Sequence, residues 1–274
     1  MANPRYHLPM CRWITLLALF ASPALGQEPS ACIALAQNGA QVVRVAFGDP
    51  LPQSTVRLRF LNHASFALET PGGITVITDY TGQIGNPDVV PDVVTMNNAH
   101  DSHFTNSPDP RIPHVLRGWG PPGLPARIDE TVGDLRIRNV TTDTRGPFGE
   151  GARANGNSIF LFEVAGLCIA HLGHLHQMLS ADQRARIGRV DVVMVPVDGG
   201  YTMDQRAMAE VVKDLHARLI IPMHWFGPKT LAAFLAQSAG RLDIVTAGGP
   251  EVEISRATLP RRPTILLLDP ALIP

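Results

Sequence analysis

The stretch Val93-Val94-Thr95-Met96-Asn97-Asn98-Ala99-His100-Asp101-Ser102-His103-Phe104 decides how this chain reads. Its opening residues are apolar or β-branched, the composition of a buried strand, and the chain then turns polar and carries two histidines. The same order recurs elsewhere. Leu167–His171 leads into His174 and His176, Leu219–Met223 runs directly into His224, and the run 56–60 leads into His63. Four separate β-type runs therefore end in histidine beside turn residues. Stacked in one sandwich, such strand ends converge on one edge, and neutral imidazole is the commonest metal ligand.

Further β-type runs surround these: Ser65–Glu69, 74–78, 135–140 and 158–164, punctuated by Pro71-Gly72-Gly73 and other Gly, Asn and Pro clusters. From residue 180 the rhythm changes. Ser180 with Gln183 reads as a helix capping box. A buried strand is predicted at 190–197, helices at 204–216 and 230–237, a last strand pair at Asp243–Thr246 and 251–254, and an apolar run at 264–268. Strands with interspersed helices, and no internal repeat, predict one α/β layered domain over residues 27–274.

The N-terminus reads as a leader peptide over residues 1–26. Arg5 and Arg12 supply positive charge, residues 13–20 (WITLLALF) a short apolar run, and Ala24-Leu25-Gly26 small residues for a signal peptidase. The apolar run is too short to span a bilayer. A periplasmic or secreted protein, cleaved near Gly26 and not stably inserted in a membrane, is therefore expected. The formal net charge of −1 and the lack of a basic cluster argue against a nucleic-acid partner. Outside the leader, cysteine occurs at Cys32 and Cys168. Export permits their pairing, while the apolar surroundings of Cys168 (GLCIAHLG) also suit a small buried hydrophobe.

Five segments taken together resemble the metallo-β-lactamase superfamily in order and spacing: 61–80 (LNHASFALETPGGITVITDY), 93–104, 157–175 (NSIFLFEVAGLCIAHLGHL), 190–204 (VDVVMVPVDGGYTMD) and 221–225 (IPMHW). The nearest branch includes ascorbate-phosphate lactonases and an N-acyl phospholipid phospholipase D. The resemblance implies a four-layer αββα sandwich with its site where loops meet at one sheet edge. Residue by residue, the family's ligand pattern is altered. Its His-x-His-x-Asp-His stretch reads Asn98-Ala99-His100-Asp101-Ser102-His103, so Asn98 and Ser102 replace a histidine and an aspartate. Its Gly-Asp-x-Gly-His stretch reads Gly173-His174-Leu175-His176-Gln177, which puts His174 at the metal-bridging position. His224 matches the final metal histidine. Where a further histidine belongs, this chain has Thr141-Thr142-Asp143-Thr144, and Asp143 is the residue there able to substitute.

With these carboxylates lost, two adjacent cations lack the negative charge that offsets their repulsion. The expectation is one divalent ion, zinc first and Fe, Mn or Cu as alternatives. His103, His174 and His224 would hold it, with His100 as fourth ligand or outer partner, in an open, catalytic-type site. His63, Asp79, Asn98, Asp143 and His176 are placed in the surrounding pocket, Asp79 as a group that fixes loops or orients a histidine. His171 reads as a hydrogen-bonded sheet-end residue, His114 and His216 as surface or helix residues. Ser102 or Asp101 would replace the missing aspartate in catalysis. Loops 82–91, 107–125 and 145–157 would roof the site, with Trp119, Phe148 and Arg153 as contacts to a small-molecule substrate. Three functions stay open on these residues: hydrolysis of an ester, lactone or phosphodiester; metal binding without hydrolysis; and redox chemistry at an all-histidine centre.

Overall fold

Period-two alternation divides each strand between two faces, and this builds two cores around one sheet. In β1 (Thr55–Asn62), β2 (Ser65–Glu69), β3 (Thr75–Ile77) and β4 (Val93–Met96), one face presents Val56, Leu58, Phe66 and Val76 to the central core. The other face presents Leu61, Ala67, Ile77 and Met96 to a second cluster. The computed structural model describes residue 1, residues 47–145, residue 151 and residues 153–274. The leader with its cleavage site, Cys32 and Phe148 lie outside the described residues.

With β5 (His114–Arg117) and β13 (Glu251–Ser255), these strands form a sheet in the order β13-β1-β2-β3-β4-β5. The second sheet is built from β6 (Asp129–Val132), β7 (Leu135–Thr144), β8 (Arg153–Val164), β9 (Leu167–His171), β10 (Val192–Pro196), β11 (Leu219–Met223), β12 (Asp243–Thr246) and β14 (Thr264–Leu267). Its order is β12-β14-β11-β10-β9-β8-β7-β6. The inner faces of both sheets share the central core, where Phe160, Phe162, Ile169, Met194 and Ile221 meet Phe60 and Phe66. Each such fully buried side chain contributes on the order of 1.5–3 kcal/mol.

The outer face of the second sheet is covered by α1 (Ala181–Ile187), α2 (Gln205–Leu215) and α3 (Pro228–Ser238), whose Ile187, Met208, Val211 and Phe234 pack on Val193, Val195 and Ile220. The anticipated Ser180–Gln183 capping box opens α1, Asp204 caps α2, and Pro228 occupies the first turn of α3. This is the expected sandwich. Among the described residues, loop residues such as Tyr80, Ile84 and Ile112 take the place of a helix over the first sheet.

Two sequence readings change. The strands at Asp243–Thr246 and Glu251–Ser255 do not pair with each other: the former pairs in parallel with β14 and the latter antiparallel with β1. The short strands β5 and β6 were not anticipated; β6 alternates between exposed and half-buried residues and carries little apolar signal. Cys168 is disulfide-bonded and also fully buried in β9, as its apolar surroundings suggest.

Candidate metal centre

Strands β9, β10, β11, β14 and β12 run parallel, so the segments that follow β9, β10 and β11 emerge at one edge. Among the described residues, three of the six non-glycine residues with positive φ lie at that edge: His63 (39°), Asp79 (43°) and His224 (58°). Left-handed backbone at a side chain with a Cβ costs on the order of 1–3 kcal/mol, and such strain gathers where function requires it. His63 occupies the two-residue turn between β1 and β2, beside a register shift between Phe60 and Asn62. Asp79 follows β3, and His224 follows β11 directly.

His103 and Asp79 are fully buried, with His103 Nδ1 2.6 Å from Asp79 Oδ2. Asp79 Oδ1 accepts the Asn97 amide at 2.9 Å, which fixes the carboxylate at both oxygens. Burial pushes the Asp79 carboxyl up to about 6, while His171 and the Asn97 amide pull the other way. With Nδ1 donating to Asp79, His103 Nε2 keeps its lone pair, and it lies 3.1 Å from His224 Nε2. On its other side His224 Nδ1 approaches Asp198 Oδ2 at 3.1 Å. The contact is oblique, since Nδ1 is left without an aligned hydrogen bond.

Asp198, just past β10, accepts the backbone N–H groups of Gly200, Tyr201 and Thr202 and the Thr202 hydroxyl. Burial alone would raise its pKa, but the His224 ring, Thr202 and these amides hold it well below the carboxylate range. His63 completes the cluster: one nitrogen each from His63, His103 and His224 lie within 4.8 Å of one another. Burial first, then the neighbouring rings, lower His63 to about 3 and take His103 well below the ordinary range. Both rings are therefore neutral, the form in which imidazole binds metal.

This donor set fits a divalent ion. His63 Nε2 is buried without a hydrogen-bond partner. The 3.1 Å between His103 Nε2 and His224 Nε2 also matches two ligands on one ion, given metal–nitrogen bonds of about 2.0–2.1 Å. Among the described residues this group consists of His63, His103 and His224, without His100 or His174.

His174 is buried beside it, its ring centroid 4.7 Å from His103 and 5.1 Å from His224. His100 is exposed, with Nδ1 3.0 Å from the Ser102 hydroxyl. Asp101 is exposed on the same turn, and Ser102 is half-buried. Asn98 is buried and bridges to Asn157. Asp143 sits at the register shift of β7, where its Oδ1 accepts the Asn155 amide and its own amide donates to Gln177. It is thereby tied to β8 and the β9 loop. His176 is half-buried and contacts His174. His171 is buried and bonded at both nitrogens, to the Ala64 carbonyl and to Asn97 and Gly173.

Two groups escaped the sequence reading. Asp198 carried a usable signal, a carboxylate at the end of a buried run and just before Gly199-Gly200. Tyr201 and Phe226, 68% and 61% exposed, form an aromatic rim, with Phe226 5.4 Å from His63 and 5.5 Å from His224. Of the anticipated substrate contacts, Trp119 packs edge-on against Phe104, and Arg153 is exposed at the start of β8. His114 belongs to β5 and His216 is the left-handed C-cap of α2. A separate cavity of about 590 Å³, lined by Leu219, Ile254, Leu259 and Leu266, holds no histidine.

The chain matches the family model of the beta-lactamase superfamily domain over residues 57–224. It is 25% identical over 186 residues to a UPF0173 metal-dependent hydrolase of Methanoculleus marisnigri, covering 62% of this chain and 81% of that one. A UPF0173 metal-dependent hydrolase of Pyrococcus abyssi is 24% identical over 190 residues, covering 62% and 84%. A solved structure from Thermotoga maritima, a candidate Zn-dependent hydrolase of the metallo-β-lactamase superfamily, superposes with a TM-score of 0.57 at 26% identity. The match covers 78% of this chain and 98% of that one.

Proposed function

Because this chain belongs to the metallo-β-lactamase superfamily, we propose that it is a metal-dependent hydrolase of an ester, lactone or phosphodiester. Its single ion, zinc by preference, is held by His63, His103 and His224. The observation that carries this reading is the convergence of those three nitrogens within 4.8 Å, with a buried carboxylate behind two of the rings.

A divalent ion in this place would supply Lewis acidity towards the scissile carbonyl or phosphoryl group and lower the pKa of water towards about 7. Asp79 fixes the tautomer of His103 so that Nε2 is free to bind, and Asp198 stands ready to do the same for His224. The two carboxylates also offset the charge of a cation that has no carboxylate among its own ligands. Tyr201 and Phe226 give the apolar part of a small substrate a surface beside His63. In place of the family's aspartate, the Ser102 hydroxyl at His100 Nδ1 offers a route by which a proton leaves for solvent, and Asp101 adds a carboxylate on the same turn.

Metal analysis of the mature protein, with ester and phosphodiester probes, tests this. One zinc per chain and hydrolysis lost in His103→Ala and His224→Ala are expected. Full metal content in both variants, or hydrolysis indifferent to a chelator, would sink it. The altered positions Asn98, Ser102 and His174 favour a second reading, metal binding without turnover, and the same probes separate the two. Export belongs to this proposal, and the disulfide at Cys168 supports an oxidising compartment. Mature protein should begin near Gln27, and an intact Met1 in that pool would refute export.

A further inference from the structure

Arg145, immediately after β7, reaches across to the loops at the site edge. Its Nε donates to His176 Nδ1 at 3.1 Å, and its Nη2 donates to the carbonyls of Gly200 and Thr202. On the far side of the same ring, His176 Nε2 lies 2.5 Å from His174 Nδ1.

These contacts determine where the protons are. A guanidinium has donors only and does not deprotonate in a protein, so His176 Nδ1 must be an acceptor. The one ring proton of His176 is then on Nε2, and it bridges to His174 Nδ1. The reverse assignment would leave His176 with no ring proton at all. Since His174 Nδ1 accepts, its own proton must sit on Nε2.

We infer that His174 acts as a hydrogen-bond donor at this site rather than as a metal ligand, its tautomer set by the relay Arg145–His176–His174. Its Nε2–H is offered to the substrate oxygen on which negative charge builds. The catalytic half of this inference rests on the hydrolase reading; the tautomer half does not. The ring is held beside the three-histidine group. It stands nearly perpendicular to those of His103 and His224, at 83° and 73°. Its backbone amide is held by Asn157 Oδ1 at 2.8 Å. Where the family has a metal-bridging carboxylate, which has no hydrogen to donate, this chain has a neutral ring able to donate one to an oxyanion. His174 is the catalytic group here, and His176 and Arg145 are positioning residues.

Long-range proton–nitrogen spectra of the mature protein carrying ¹⁵N-histidine test the tautomers, with His174→Gln and His176→Gln used for assignment. Both rings should be protonated at Nε2 alone, and Arg145→Met should abolish that fixed pattern while near-ultraviolet dichroism stays unchanged. Zinc titration of His174→Ala should leave affinity within about threefold of wild type, because no coordination bond is removed. Turnover of the ester or phosphodiester probe should fall in kcat by on the order of 10²–10³ with KM little changed. A proton on His174 Nδ1, or zinc affinity lost by more than about tenfold in His174→Ala, overturns the inference whatever the activity. A wild-type protein with the Nε2–H pattern that hydrolyses none of the probes refutes the hydrolase reading and the catalytic half, and supports the donor half.

Discussion

The backbone N–H of His224 donates to the carbonyl of His63 at 2.6 Å. This one hydrogen bond ties the end of β11 in the second sheet to the β1–β2 turn in the first, and both residues carry positive φ. The main chain therefore brings the two rings together before any ion binds, and their centroids lie 3.9 Å apart.

His63→Gly separates the strain from the ligand. Glycine accepts the 39° φ without penalty and can keep the carbonyl contact to His224. The metal-free variant should be as stable as wild type or more so, by up to about 1 kcal/mol. Its zinc affinity should fall by more than the about 10- to 100-fold expected on losing an outer partner. Thermal melts with and without zinc measure both. A variant that binds zinc normally removes His63 from the ligand set.

Asp79→Asn tests the orientation of His103. The amide is nearly isosteric but can present an NH₂ to His103 Nδ1, which would then move the ring proton to Nε2 and block the metal-binding lone pair. Zinc affinity should drop about 10- to 100-fold with the fold intact. Unchanged affinity would mean that the 2.6 Å contact is only structural.

Gly173→Ala probes the backbone that carries His174. At this glycine φ is 58°, and a Cβ would meet Asn97 Nδ2 at 2.4 Å and Asn157 Oδ1 at 2.5 Å. Neither atom can yield freely: Asn97 Nδ2 donates to the Ser158 carbonyl, and Asn157 Oδ1 accepts the His174 amide. Overpacking of this kind costs about 1–3 kcal/mol. In a domain of this size that lowers Tm by roughly 2–4 °C per kcal/mol. A melt within error of wild type would contradict the close approach.

Much of this was legible because strand patterning and strand-end histidines are local signals. Residues 93–103, Leu219–Met223 with His224, and Asp79 behind a histidine could all be placed from the sequence. The selection among the histidines could not. His63 joins His103 and His224 only because a two-residue turn forces its backbone left-handed, and His174 stands outside their group. The pairing of His176 with Arg145 spans 31 residues and depends on the β7–β9 stacking, which no spacing rule encodes. Strand β6 lacked an apolar face to announce it, and the opposite destinations of β12 and β13 are a choice between two sheet edges.

Arg57 supplies the last test, away from the site. Its side chain is fully buried in β1 and donates to Glu69 of β2 at 2.6 Å and Glu253 of β13 at 2.9 Å. It thus joins three neighbouring strands at one end of the first sheet. Arg57→Met removes the cation and leaves two carboxylates facing each other with little water. Breaking a buried ion pair from one side costs about 3–5 kcal/mol, whereas replacing all partners by apolar groups of similar size can be neutral. Urea melts should therefore show Arg57→Met strongly destabilised, and a triple variant with Glu69→Met and Glu253→Met recovering most of the loss. If the triple variant is no more stable than the single one, the cost lies in packing around the guanidinium stem and not in stranded charge.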